Sequence, residues 1–411
     1  MSRKLFKQIR NEWKSNIWLA LELLVVSVVL WYILDNFYVN YKILSMPLGF
    51  DVEHCYKLTF DDVTDKSPDY IPDQSRQDRL EEKLTILDRL QHHPIVEAAA
   101  LSNNSHPYNG SNSGSFVWRD TFQTTGYTIR RVVTPDFMKV FRYQGTRGET
   151  PEQLSRMLEE EKVITSNNLF KRQNARMTDF VGKELWVDDT ANVKVLGASL
   201  IGPRYNDFTD FDHTIFWKAG NREILWCDEY TIRVKPEMDK NVEESLMNQA
   251  ETMFHVGNKL LVNVQSFKDI RRIVQQNNWN SVWQMAVGMG FLLLNIFLGL
   301  FGTFWFRTQQ RVNEIAIRKA MGATNWEICR RLLSEGLLLL LVITPFAFGI
   351  DCLLAYFEMN QYYDGGYFGW DRVAICAAGA AALVALMIIA GVWFPASRAE
   401  KVDPAIALKD E

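Results

Sequence analysis

The sequence predicts a membrane protein with four transmembrane α-helices and a large α+β extracytoplasmic domain between helices 1 and 2. Three observations carry this. Four apolar stretches are each close to the roughly 20 residues a helix needs to cross a bilayer. A long stretch, 37–280, mixes strand-like and helix-like patterns. Lysine and arginine gather in only some of the short segments beside the apolar ones. The 411 residues carry a net charge of −4, which argues against a nucleic-acid binder working through a basic surface. The 13 Trp, with many Tyr and Phe, suit aromatic belts at a membrane interface.

Residues 1–16 place Leu5, Phe6, Ile9 and Trp13 on one helical face among Arg3, Lys4, Lys7, Arg10 and Lys14. Such a segment lies on the cytoplasmic membrane surface. The first span, 17–36, is too long for a cleaved signal peptide, and bulky "DNFYVNYK" follows it instead of a small-residue cleavage site. The other spans are 281–306, 336–357 and 373–394. Backbone groups at that depth must bond internally, so all four are read as helices. The segment 307–335 is rich in Arg and Lys, whereas 358–372 carries Glu358, Asp364 and Asp371 against Arg372. The positive-inside bias then puts both termini (with the tail 395–411) and 307–335 in the cytoplasm, and 37–280 and 358–372 outside.

Within the outer domain, Asp51 to Asp61 reads as a strand, and Arg76 to Pro94 as a helix with Leu80, Leu84, Leu87 and Leu90 on one face. Ile95 to Ser102 is a second strand and Asn103 to Ser115 a loop. "SFVWRD", "GYTIRRVV", "EKVITS", "VKVLGASL" and "YTIRVKP" read as further strands. "EQLSRMLEE", "SNNLFKRQ" and "NVEESLMNQAETMF" read as helices, and "LLVNVQSFKDIRRIVQQNN" leads into the second span.

This domain shows no catalytic constellation. His92 and His93, adjacent at a helix end, cannot face one ligand and are read as surface polar groups. Asp207, Asp210 and Asp212 lack the glycine and terminal glutamate of a calcium loop and are read as a solvated acidic loop. The five cysteines form no CxxC pair. Cys55 and Cys227, both outside, form a disulfide if their strands are neighbours, and are two buried thiols otherwise.

The segment 307–335 is more than a connector. Arg307, Arg311, Glu314 and Arg318 share a helical face beside an apolar strip of Val312, Ile315, Ala316 and Ala320. Gly322 can end a helix in the left-handed conformation, and Thr324 with Glu327 fits a capping box that opens the next one. A rigid helix–turn–helix shelf under the membrane is expected. Its wording, "RVNEIAIRKAMGA", strongly resembles the signature of FtsX-like/MacB-like ABC transporter permeases. The close, "FPASRAEKVDPAIALKDE", resembles that family's C-terminal pattern through Pro395, Ala396, Ala399, Pro404, Ala405, Ala407 and Leu408. The outer domain is similar, more in order than in identity, to the MacB-type periplasmic core, through "VTPDFMKVFRYQGTRG", "EKVITSNNLFKRQ", "FVGKELWV" and "VKVLGAS".

The resemblance implies a permease subunit of the mechanotransmission type. An ATPase docks on the shelf, here through Arg311, Glu314, Ile315, Arg318, Lys319 and Gly322, and its motion is relayed to the periplasmic domain. Family members with a fused ATPase carry it ahead of the first span. No GxxxxGK[ST] occurs in this chain, and "FVGKE" around Gly182 and Lys183 lacks the flanking residues. ATP and magnesium are therefore expected in a separate ABC ATPase partner, with no cofactor, metal or catalytic residue here. A second permease copy or paralogue, a periplasmic adaptor and an outer-membrane factor are the other expected partners, at a bacterial inner membrane. Glu22 and Asp351, ionisable groups inside spans, are candidates for interhelical bonding or, for Asp351, hydration near the outer interface. Pro345 is read as a tolerated kink. A non-transporting scaffold that regulates a cell-wall enzyme is the rival reading, and a membrane-anchored periplasmic enzyme is the weakest.

Overall fold

The computed structural model describes residues 13–109, 112–124, 126–209, 212–310, 317, 321–363 and 366–399. The chain divides into two units, one of residues 1–42 with 281–411 and one of residues 43–280.

Among the described residues, four helices are long and apolar enough to cross a membrane, and most of their length belongs to the first unit. They are α1 (Trp13–Ser45), α8 (Phe267–Gln310), α9 (Asn325–Tyr356) and α10 (Trp370–Ala399), numbered with the short helices of the lobe between them. Leu23, Leu30 and Trp31 of α1, Leu339 and Ile343 of α9, and Val373, Val384 and Ile388 of α10 share one buried cluster. From α8, Leu300 joins it. The same helix leaves Trp283, Val287, Phe291, Leu294 and Leu298 exposed at steps of four and three residues, a single apolar stripe.

The second unit, the lobe, is a mixed α/β domain around one long sheet. Its strands include β1 (Cys55–Asp62), β2 (Val96–Asn103), β6 (Thr128–Val133), β7 (Val163–Ser166), β9 (Asp189–Leu200), β10 (Thr214–Lys218), β11 (Glu229–Val234) and β13 (Lys259–Ser266). They run in the order β13-β1-β11-β2-β6-β10-β7-β9, with β6–β10 and β7–β9 parallel and the other neighbours antiparallel. Short strands β8 (Glu184–Val187), β4 (Val117–Arg119) and β5 (Phe122–Gln123) extend the far edge. β12 (His255–Val256) pairs with β13, and β3 (Ser113–Ser115) with β6.

Alternation along the strands builds two cores. On β2, Ala99 and Leu101 enter one and Ala98 and Ala100 the other; on β10, Ile215 and Trp217 face away from Phe216. The first layer is covered by α2 (Arg76–Gln91) through Leu80, Ile86, Leu87 and Leu90, and by α6 (Val242–Met247) and α7 (Ala250–Met253). α2 begins where predicted, at a capping box of Ser75 and Asp78. The opposite layer is covered by α3 (Phe137–Val140), α4 (Pro151–Glu159) and the first turn of α8, with Phe267 and Ile270.

Several expectations are corrected. "SNNLFKRQ" gives only a 3-10 turn at Lys171–Gln173, because Asn167 uses its side chain to accept from Thr178 N at 3.2 Å while Leu169 and Phe170 plug the core. The helix expected over 241–254 is two, α6 and α7, broken at Asn248 and Gln249. "SFVWRD" is interrupted at the exposed Phe116. Strand β10, in the middle of the sheet, was not anticipated. Cys55 and Cys227 are free thiols that belong to opposite cores, so the sheet separates them and the disulfide considered for them does not form. The alternative of two buried thiols holds, and burial pushes each up to about 12, leaving both protonated.

Candidate functional site

Three places concentrate polar side chains that packing alone does not require. The first is the corner of the shelf. Arg311, Glu314, Ile315, Arg318 and Lys319 lie outside the described residues. The corner beyond them is described. Met321 N donates to Ile317 O at 3.0 Å, a helical bond, and Gly322 follows at φ +91°, a conformation that favours glycine. The expected capping box forms: Thr324 Oγ1 accepts from Glu327 N at 3.3 Å, and Thr324 N donates to Glu327 Oε2 at 3.0 Å. Around this corner Ile317, Met321 and Trp326 are exposed, at 49%, 75% and 61%.

The second place is between the long helices. Thr303 Oγ1 on α8 lies 3.1 and 3.2 Å from the two carboxylate oxygens of Glu22 on α1, the interhelical bond anticipated for that residue. Asp351 is buried, and its Oδ1 has no hydrogen-bond partner among the described residues. The strongest interaction went unread in the sequence. Arg372, in the first turn of α10, donates from Nε and Nη2 to the two oxygens of Asp35 on α1, at 2.6 and 2.5 Å. Its Nη2 also donates to Gln361 O at 2.7 Å, and both charged residues are buried. A legible signal existed: opposite charges at the same outer end of two predicted spans, one just inside its helix.

The third place is the root of the lobe, built on residues 201–212. This loop was expected to be a solvated acidic one, and the structure corrects that. Asp207 is buried; its Oδ2 accepts from Arg271 Nε at 2.8 Å and its Oδ1 from the Tyr108 hydroxyl at 3.1 Å. Arg204 is also buried and donates to the carbonyls of Met46, Asp207 and Thr209 at 2.9, 2.6 and 2.8 Å. Gly49 sits at φ +76° against the same loop, where a Cβ would come within 2.8 Å of Gly202 O and Ile201 O. Phe208 meets the Trp279 ring edge-on with centroids 5.2 Å apart. One loop therefore holds the chain just after α1, through Met46, and the first turns of α8, through Arg271 and Trp279. Asp212 accepts from Tyr205 N and from Thr209 Oγ1, and burial holds its carboxyl up at about 6 against the opposing pull of that amide and of Arg131. Asp210 lies outside the described residues.

Among the described residues no group of His, Cys, Asp and Glu is placed to hold a metal. His92 is exposed on Asp88, while His93 is buried against Gln249 Oε1 at 3.1 Å, so the two rings diverge.

Comparison with known proteins covers the C-terminal part of the chain. Residues 286–404 match the model of the FtsX-like permease C-terminal domain. The macrolide export ATP-binding/permease protein MacB of Escherichia coli (strain K12) is 23% identical over 186 residues, 45% of this chain. The protein of the same name from Salmonella paratyphi A (strain ATCC 9150 / SARB42) is 22% identical over the same length. The aligned part spans 28% of the length of these curated relatives.

Proposed function

We propose that this FtsX/MacB-like permease chain is the transmembrane subunit of an ABC transporter that relays the motion of a separate ATPase subunit to its lobe. The relay serves efflux or extraction of a periplasmic or membrane-embedded substrate. Membrane placement follows the charge bias, with both termini and the shelf in the cytoplasm of a bacterial inner membrane and the lobe in the periplasm.

The observation that carries this reading is the continuity of two helices. α1 has 33 residues and α8 has 44, without a break in either. At about 1.5 Å per residue they are roughly 50 and 65 Å long, well beyond the roughly 30 Å of a bilayer core. A helix transmits axial displacement because its backbone bonds are internal and stiff. At the lobe root, Arg204 and Asp207 tie the two chain segments to one loop, so displacement of either reaches the sheet through β9 and β10 on either side of it. The exposed Ile317, Met321 and Trp326 suit an apolar contact with a partner at the shelf. The apolar stripe on α8 suits lipid or a second permease copy. A periplasmic adaptor and an outer-membrane factor complete the assembly in the efflux version.

The test is purification of the tagged protein from native membranes in mild detergent, with identification of co-purifying chains and an ATPase assay. An ABC ATPase is expected in the eluate, with hydrolysis stimulated by the permease and lost on Glu314→Arg while complex insertion persists. Recovery of the intact protein with a cell-wall hydrolase and no ATPase, even after crosslinking, would overturn the relay reading in favour of a scaffold.

A further inference from the structure

On the lobe, a cavity of about 450 Å³ opens beside the start of α2, a volume within the range of small-molecule sites. Arg76, Arg79 and Lys83 line it from α2, at steps of three and four residues along one helical face. Arg222, from α5 (Asn221–Ile224), and Lys259 complete its cationic wall. Against these five cations stand two carboxylates, Asp62 and Asp228, in a chain whose net charge is negative.

Both carboxylates are already engaged. Lys83 Nζ is 2.5 Å from Asp228 Oδ1 and 2.6 Å from Cys227 O, and Lys259 Nζ is 3.0 Å from Asp62 Oδ1. The guanidinium groups of Arg76, Arg79 and Arg222 have no hydrogen bond or ion pair among the described residues. Three like charges around one cavity repel, and two of them sit in the first turns of α2, where the helix dipole also disfavours cations. Solvent offsets part of that cost, as do Asp65 and Asp73, which line a neighbouring cavity with Arg79. An oxyanion offsets the rest: it neutralises the cluster, pairs with forked guanidinium donors and lies at the positive end of the helix. The same wall carries Leu225 and Trp226, and Trp226 is 69% exposed, an indole face open for stacking.

We propose that this cavity binds a ring-bearing oxyanion, a compound with a phosphate or carboxylate on a sugar or aryl ring, its anionic group held by Arg76, Arg79 and Arg222 and its ring on Trp226. The site is confined to the lobe and does not depend on the relay reading.

The experiment is titration calorimetry of the full chain in detergent with phenyl phosphate, benzoate, inorganic phosphate and benzyl alcohol. Phenyl phosphate or benzoate binds saturably, and which binds tighter decides between phosphate and carboxylate. Arg79→Gln with Arg222→Gln weakens that binding by about tenfold or more. Trp226→Ala weakens the ring-bearing probe roughly three- to tenfold while leaving inorganic phosphate unchanged. All three positions are exposed, so the thermal midpoint is expected to hold; should the double variant lower it, Arg222→Gln alone is read the same way. No saturable binding of either ring anion, binding that persists in both variants, or equal affinity for benzyl alcohol would overturn the proposal.

Discussion

The lobe and the helical unit each bury an arginine, and they do so by opposite means. Arg233 in the lobe is fully buried and gives its guanidinium to three backbone carbonyls, of Val140, Glu53 and Asp51, at 2.7 to 2.8 Å. The nearest carboxylate, of Asp51, is 3.2 Å away and partly exposed. Arg372 in the helical unit instead takes both oxygens of a buried carboxylate, Asp35. The difference follows from what each architecture leaves free. Loops and strand ends present unpaired carbonyls, so a lobe can solvate a guanidinium with backbone. Transmembrane helices spend their carbonyls on themselves, so a buried arginine there needs a counter-ion. Among the described residues, the one carbonyl that Arg372 finds, Gln361 O, comes from the segment between α9 and α10.

That contrast can be broken experimentally, from the largest effect down. Arg372→Ala leaves Asp35 buried and unpaired and should cost about 3–5 kcal/mol. Denaturation of the purified protein reads it, and Asp35→Leu combined with Arg372→Leu should recover most of the loss. If the single variant costs no more than a surface substitution, the pair is not desolvated. Arg233→Met strands carbonyls but no buried counter-charge, so a smaller loss of about 1–3 kcal/mol is expected. An equal or larger loss than for Arg372→Ala would contradict the distinction drawn here.

Asp212 sharpens the lobe side through pH. Its carboxyl is held at about 6 by burial, above its unfolded value of about 4. The folded chain therefore binds the extra proton across that window. This contribution to stability is full below about pH 4 and is lost as the pH rises through about 6. Asp212→Asn should flatten the slope between those values, and an unchanged slope would assign it to other groups. The smallest effect is expected at Thr303→Val, which removes the bond to Glu22 from a part-buried site. About 0.6 kcal/mol is typical of interhelical bonds in membranes. A loss several times larger would show that Glu22 has no alternative donor and depends on Thr303 alone.

Features governed by local chemistry were legible in advance. The four long helices follow from runs of apolar residues that no soluble fold of this pattern accommodates. α2 follows from its leucine spacing, although Leu84 is exposed and Ile86 is buried in its stead, and the shelf corner follows from Gly322, Thr324 and Glu327. Strand β10 escaped because it is buried on both faces: Thr214 to Trp217 show no alternation, and the five-residue run sits behind the Asp-rich loop. A β-branched and aromatic run between "DFDH" and "AG" was its only signal. The acidic loop misled for a related reason. Charge in a short loop reads as solvated until a distant arginine, here Arg271, is brought to it.

The sequence by itself therefore determined the number of long apolar helices, the mixed character of the lobe and the cap at the shelf corner. Each of these depends on neighbours within a few residues, where periodicity and side-chain type act directly. Only the tertiary structure decided that Asp35 meets Arg372, that Asp207 joins Tyr108 and Arg271, that Cys55 and Cys227 face opposite cores, and that three arginines surround one cavity without an ion pair among the described residues. Those outcomes depend on which distant segments the sheet and the helices bring together, and no residue carries that information within its own stretch of chain.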